Sequence, residues 1–121
     1  MIIVDYKDRR PIYEQLTVRI TELALSGELK PDQQLPSVRQ LASQLGINPN
    51  TISKAYAELE RRGIIYSVSG KGSFINSDLS AAAGDRQGEL EQHMRESVRD
   101  LRRIGAEKSR LLGIIEEEYE K

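Results

Sequence analysis

The sequence predicts a mainly α-helical chain with one small β-hairpin. Three observations support this. Apolar residues recur at helical spacing in three successive runs before Gly63, each bounded by capping residues. Two β-prone runs, Ile64 to Ser69 and Ser73 to Asn76, flank Gly70-Lys71-Gly72. Beyond Leu79 the chain turns highly charged, with apolar residues again three or four apart.

The elements can be justified in order. Met1 to Val4 is a short apolar run that reads equally as an added β-strand or as a strap across the helices. It is too short for a signal-peptide core, and Asp5 interrupts it. Ile12, Leu16, Ile20 and Leu23 predict a helix from about Pro11 to Ser26, with Pro11 suited to the first turn and Gly27 marking the exit. Ser37 and Gln40 have the spacing of a capping box, and Pro36 stops a helix from entering upstream. Val38, Leu41, Ala42 and Leu45 form one face of that second helix, and Gly46 ends it. Asn48 is a good N-cap and Pro49 a good first helical residue. Ile52, Ala55, Tyr56 and Leu59 then give a buried stripe that stops before Gly63. Only a few residues around Gly46 and Ile47 separate these two helices, which makes a tight turn.

Helix, turn, helix, strand, glycine turn, strand is the order of a winged helix-turn-helix, a module whose second motif helix enters the DNA major groove. The polar face of that helix carries Asn50, Thr51, Ser53, Lys54, Ala57, Glu58 and Arg61. Its N-terminal part suits base edges, because Asn pairs with adenine through two hydrogen bonds while Ser and Thr serve several bases or a phosphate. The glycines at 70 and 72 allow a tight reversal and close approach to a phosphate or minor groove, with Lys71 supplying charge. A phosphate-cradling loop of the Walker type is excluded, since Ile65 stands where that pattern needs a glycine.

From about Pro11 to Asn76 the sequence resembles the bacterial GntR-type regulators. The resemblance is carried by Tyr13-Glu14-Gln15-Leu16, Gly27 through Pro31, Leu35-Pro36-Ser37, Arg39, Leu41-Ala42, Asn50-Thr51, Ala55-Tyr56, Leu59, Gly63-Ile64-Ile65 and Gly70-Lys71-Gly72-Ser73-Phe74. It implies that Arg39 contacts DNA, that Asn48, Asn50, Thr51 and Ser53 meet bases or phosphates, and that Gly70 approaches the minor groove. The chain departs from the family in two places. Asp32 stands where relatives usually have a glycine after the loop proline, and Ser69 stands where they often have an arginine before the wing glycine. The expected DNA-binding set is therefore Ser37, Arg39, Asn48, Asn50, Thr51, Ser53, Lys54, Ser69, Gly70, Lys71 and Gly72.

The C-terminal third is expected to associate two chains. Ser80-Ala81-Ala82-Ala83-Gly84 reads as a low-complexity linker. This divides the chain into a DNA-binding domain over 1–78, a linker over 79–85 and a helical tail over 86–121. Leu90, Met94, Val98, Leu101 and Ile104 form one stripe. After Gly105, a second comprises Leu111, Leu112, Ile115 and Tyr119. Two short amphipathic helices cannot bury both stripes alone, so they need either the chain's own DNA-binding domain or a second chain. Self-association matches the paired half-sites that such readers meet as symmetric dimers. The tail is too short for the effector domain of larger GntR-type regulators and resembles the YtrA-like subgroup, which implies a dimerising tail and a repressor role. A small-molecule effector would bind at the dimer interface or between domain and tail, although no residue pattern requires one.

Composition bounds the alternatives. The chain has 121 residues, no cysteine and no apolar run of membrane-spanning length, which fits a cytoplasmic protein without disulfides or thiolate metal sites. The net charge of −1 argues against a nucleic-acid partner. Its distribution argues for one: Leu35 to Ile75 holds five basic residues against two acidic, while Leu79 onward holds eight against ten. No nucleophile is paired with a base, His93 lies among charged helical residues, and Glu116-Glu117-Glu118 point in different directions on a helix. Neither enzyme nor metal or cofactor protein is therefore expected. The expectation is a dimeric repressor that binds a double-stranded DNA operator. The competing reading is a winged helix used only for protein–protein assembly. The polar Asn50 to Lys54 face argues against it, since such a helix would expose an apolar patch there.

Overall fold

The computed structural model describes residues 2–121. Seven elements follow in order: α1 (Ile12–Ser26), α2 (Val38–Leu45), α3 (Pro49–Arg61), β1 (Ile65–Val68), β2 (Gly72–Ile75), α4 (Ser80–Arg103) and α5 (Lys108–Tyr119). They group into two compact units, one ending at Ala83 and the other spanning Gly84–Lys121.

The first unit is the winged helix-turn-helix that the sequence predicts. The stripes converge on one core: Leu16, Ile20 and Leu23 from α1, Leu41 from α2, Ile52 and Leu59 from α3, and Ile64, Ile65 and Ile75 from the hairpin are all fully buried. Burying each such side chain contributes about 1.5–3 kcal/mol. The capping box forms in both directions, with Gln40 N donating to Ser37 Oγ (3.1 Å) and Ser37 N donating to Gln40 Oε1 (2.8 Å). Gly46 takes the left-handed conformation (φ 66°) that lets the chain leave α2 and enter α3 within a few residues. Of the N-terminal run, Met1 lies outside the described residues. Ile2 and Val4 pack half-buried on the core without forming a strand, so the strap reading fits Ile2–Val4.

The hairpin pairs Ile65 with Ile75, Tyr66 with Phe74, Ser67 with Ser73 and Val68 with Gly72. A third stretch, absent from the sequence reading, runs beside β2: Leu35 N donates to Ser73 O (2.9 Å), Ile75 N to Gln33 O (2.9 Å) and Asp32 N to Ile75 O (2.8 Å). Its single bridge, Gln34 to Phe74, lies between Pro31 and Pro36 and lacks the apolar alternation that would announce a strand. Asp32 is held at φ 62°, a region that aspartate tolerates better than most residues.

Ser80 to Gly84 is helical, which corrects the linker expected over 79–85. Asp78 Oδ1 accepts from Ser80 N (3.1 Å) and Ser80 Oγ (2.7 Å), capping a 24-residue helix rather than a short one. Low complexity here reflects alanine's high helix propensity, and Ala82 is buried in the first unit's core. In the second unit no described residue is buried. Leu90, Met94, Val98, Ile104, Leu112, Ile114 and Tyr119 are exposed, while Leu101, Leu111 and Ile115 are half-buried. Among the described residues no helix is long and apolar enough to cross a membrane.

Candidate nucleic-acid interface

The N-terminal half of α3 carries the predicted reading face. Asn50, Ser53 and Lys54 are exposed and Thr51 is half-buried, with the opposite face locked in the core by Ile52, Ala55, Tyr56 and Leu59. Asn48 lies just outside the helix as its cap: Oδ1 accepts from Asn50 N at 2.9 Å, which leaves its amide N–H groups to meet a partner. Tyr56 fixes α3 against the start of α2 by donating its hydroxyl to Pro36 O at 2.6 Å. Burial pushes that phenol up to about 12.

The start of α2 presents Ser37 and Arg39. The Ser37 oxygen accepts from Gln40 N, so its own proton remains available to a phosphate oxygen. Arg39 is exposed and makes no ion pair among the described residues. At the wing, Ser69 and Lys71 are exposed at a tight turn in which Lys71 N donates to Val68 O (2.9 Å) and Gly70 takes φ 75°. Gln34 Nε2 donates to Lys71 O (2.8 Å), tying the wing turn to a residue only three positions before Ser37. The wing and the start of α2 are thereby brought together. A Cβ at Gly72 (φ 121°) would lie 2.9 Å from Gln34 Nε2.

The charges divide by pairing. Glu58 accepts from Arg61 Nε (2.9 Å) and Arg62 Nε (2.7 Å), and these two guanidinium groups hold its carboxyl down at about 2. Glu58 and Glu60 together offset Arg61 and Arg62 in formal charge, so the local excess counted from the sequence equals that of Arg39, Lys54 and Lys71. Arg39, Lys54 and Lys71 meet no carboxylate among the described residues.

Sequence reasoning missed three residues that build this face. Gln34 had no signal, because a lone glutamine in a loop has no periodicity. Tyr13 carried the family resemblance without a role, yet its ring lies beneath the Lys54 ammonium, 3.9 Å from Nζ to the centroid. Tyr66, stacked on Phe74 with ring centroids 5.5 Å apart, donates its hydroxyl to Asp32 Oδ1 (2.8 Å) and braces the wing. His93 and Glu116 to Glu118 are exposed, and no cluster of metal-ligating side chains occurs among the described residues.

Comparison with known proteins agrees with this geometry. Residues 12–75 match the family described as bacterial regulatory proteins, gntR family. The HTH-type transcriptional repressor YtrA of Bacillus subtilis (strain 168) is 38% identical over 112 residues, spanning 92% of this chain and 86% of that protein. The solved structure of a transcriptional antiterminator from Listeria monocytogenes EGD-e superimposes with a TM-score of 0.81 at 34% identity, covering 100% of this chain and 90% of that one. AraR(DBD) in complex with operator ORE1 superimposes with a TM-score of 0.53 at 32% identity, over 62% of this chain and 92% of that one. With a polar, cation-bearing helix set on a winged scaffold, and with these relatives, the chain belongs to the gntR family of bacterial regulatory proteins and is a DNA-binding transcription regulator, not an enzyme.

Proposed function

We propose that the chain is a cytoplasmic, homodimeric repressor that binds a palindromic operator, with α3 in the major groove and the wing at the adjacent minor groove. The observation that carries this reading is the exposed N-terminal half of α3. Asn50, Ser53 and Lys54 face outward and, among the described residues, their side chains have no competing partner beyond the Tyr13 ring, beside a cap and a turn that fix their backbone. In this reading Asn50, Thr51, Ser53 and Lys54 read or straddle the major groove, Asn48 adds a donor at its edge, and Ser37 and Arg39 hold phosphates. Ser69, Gly70, Lys71 and Gly72 place the wing.

The second unit supports the dimer. Helices in which no described residue is buried gain little from packing on each other in water, and a second copy would supply the missing surface. Leu90, Met94, Val98, Leu101, Ile104, Leu111, Leu112, Ile115 and Tyr119 are assigned to that contact, to which exposed Ile114 is added. Two chains would present two reading helices to half-sites about one helical turn (~34 Å) or a multiple apart.

The test is a gel shift on the promoter DNA upstream of the gene, against random competitor, with the stoichiometry measured. A specific complex of two chains per site supports the reading. A specific complex of one chain per site overturns the dimer, and no binding at low salt overturns DNA binding itself.

A further inference from the structure

We propose that the loop before α1, residues 5–10, is an additional DNA-backbone contact in which Lys7 and Arg9 each meet a phosphate beside the reading helix. The proposal rests on the DNA-binding reading above and adds a surface outside the helix-turn-helix and wing.

The loop is held in place by a buried side chain. Gln15 of α1 is 6% exposed and spends its whole amide on this segment: Oε1 accepts from Asp5 N (2.9 Å), while Nε2 donates to Asp5 O (3.0 Å) and Arg10 O (3.0 Å). A buried amide with every one of these bonds made fixes both ends of the loop to the helix. Tyr6 OH donates to Leu45 O at 3.3 Å, anchoring the loop at the C-terminus of α2, where the tight turn begins. At its other end the loop runs into Pro11, Ile12 and Tyr13, which share a cleft of about 400 Å³ with Asn50, Thr51 and Lys54. The loop thus spans from the helix-turn-helix turn to the reading end of α3.

Its charge is divided in a way that suits an external anion. Arg10 is neutralised by Asp8, with Nη2 to Oδ2 at 2.8 Å, and Asp5 Oδ1 is engaged by Lys7 N at 2.9 Å. Lys7 and Arg9 are exposed, and neither meets a carboxylate among the described residues. Two unpaired cations on an immobilised loop lose less conformational freedom on meeting phosphates than cations on a loose tail would. A polyanion with evenly spaced charges alongside the reading helix, the sugar-phosphate backbone, is the partner this arrangement fits.

The experiment is fluorescence anisotropy of the full-length protein and its Lys7→Ala/Arg9→Ala variant on a labelled mixed-sequence duplex of about 30 base pairs, titrated across a salt series. Each lost phosphate contact removes about 0.9 from the slope of log affinity against log salt, so the double variant should lose up to about 1.8 per chain. Because both side chains are exposed, the thermal midpoint should not move. A charge-reversed Lys7→Glu/Arg9→Glu variant should bind more weakly still. An unchanged slope in the alanine variant, with wild type binding normally, overturns this proposal alone. A wild type that binds no DNA overturns it together with the reading on which it rests.

Discussion

The Lys54 ammonium sits over the face of the Tyr13 ring, 3.9 Å from its centroid, joining α3 to the first turn of α1. A flexible four-carbon chain would otherwise sample many rotamers at an exposed position. The ring's negative face favours the one in which the cation stays beside Asn50 and Thr51. Tyr13→Ala should weaken binding to DNA two- to fivefold, the equivalent of about 0.5–1 kcal/mol, while Tyr13→Phe, which keeps the ring, should bind as wild type. Anisotropy titrations of both variants check this.

Arg39 and Asn50 are expected to fail differently. Arg39→Ala removes a charge from the start of α2 and should weaken operator and random DNA alike, reducing the salt slope by about 1. Asn50→Ala removes a side chain with paired donor and acceptor, and should cost about 1–3 kcal/mol at one base position and little elsewhere. A binding-site selection with each variant separates the two. Equal losses on operator and random DNA for Asn50→Ala would contradict its role.

Gly72→Ala should destabilise the wing. A side chain at φ 121° is strained, and its Cβ would push against Gln34 Nε2 at 2.9 Å, the group that holds Lys71 O. The expected loss is about 1–3 kcal/mol, read as a lower thermal midpoint. Adding Gln34→Ala should relieve the steric part and leave the backbone part.

Stability should fall at alkaline pH through Tyr56. Its phenol titrates at about 12 in the folded chain against 10.0 when unperturbed. The unfolded state therefore loses its proton first, and the contribution is complete below pH 10 and lost as pH rises towards 12. The effect reaches about 2 kcal/mol after allowance for solvent screening. Thermal midpoints between pH 9 and 12 should fall less steeply in Tyr56→Phe, which starts from lower stability because Pro36 O loses its donor.

What the sequence determined by itself was local. Capping at Ser37 and Asn48, glycine exits, the hairpin turn and the three helical stripes depend on neighbours within a few residues, and all of them appear in the structure. The same local grammar named the outward face of α3, because an amphipathic stripe defines both its sides. The alanine run at Ser80 to Gly84 was misread as a linker, since low complexity and high helix propensity look alike until Asp78 is seen capping the helix. Only the tertiary structure decided the rest. Gln34 reaches Lys71 across 37 positions, Tyr66 reaches Asp32 across 34, and the Tyr13 ring meets Lys54 from a different helix. Such pairings have no period and no spacing along the chain. They exist because burial of one core brings distant segments within hydrogen-bonding reach, and their polar tips then find the partners that happen to be there.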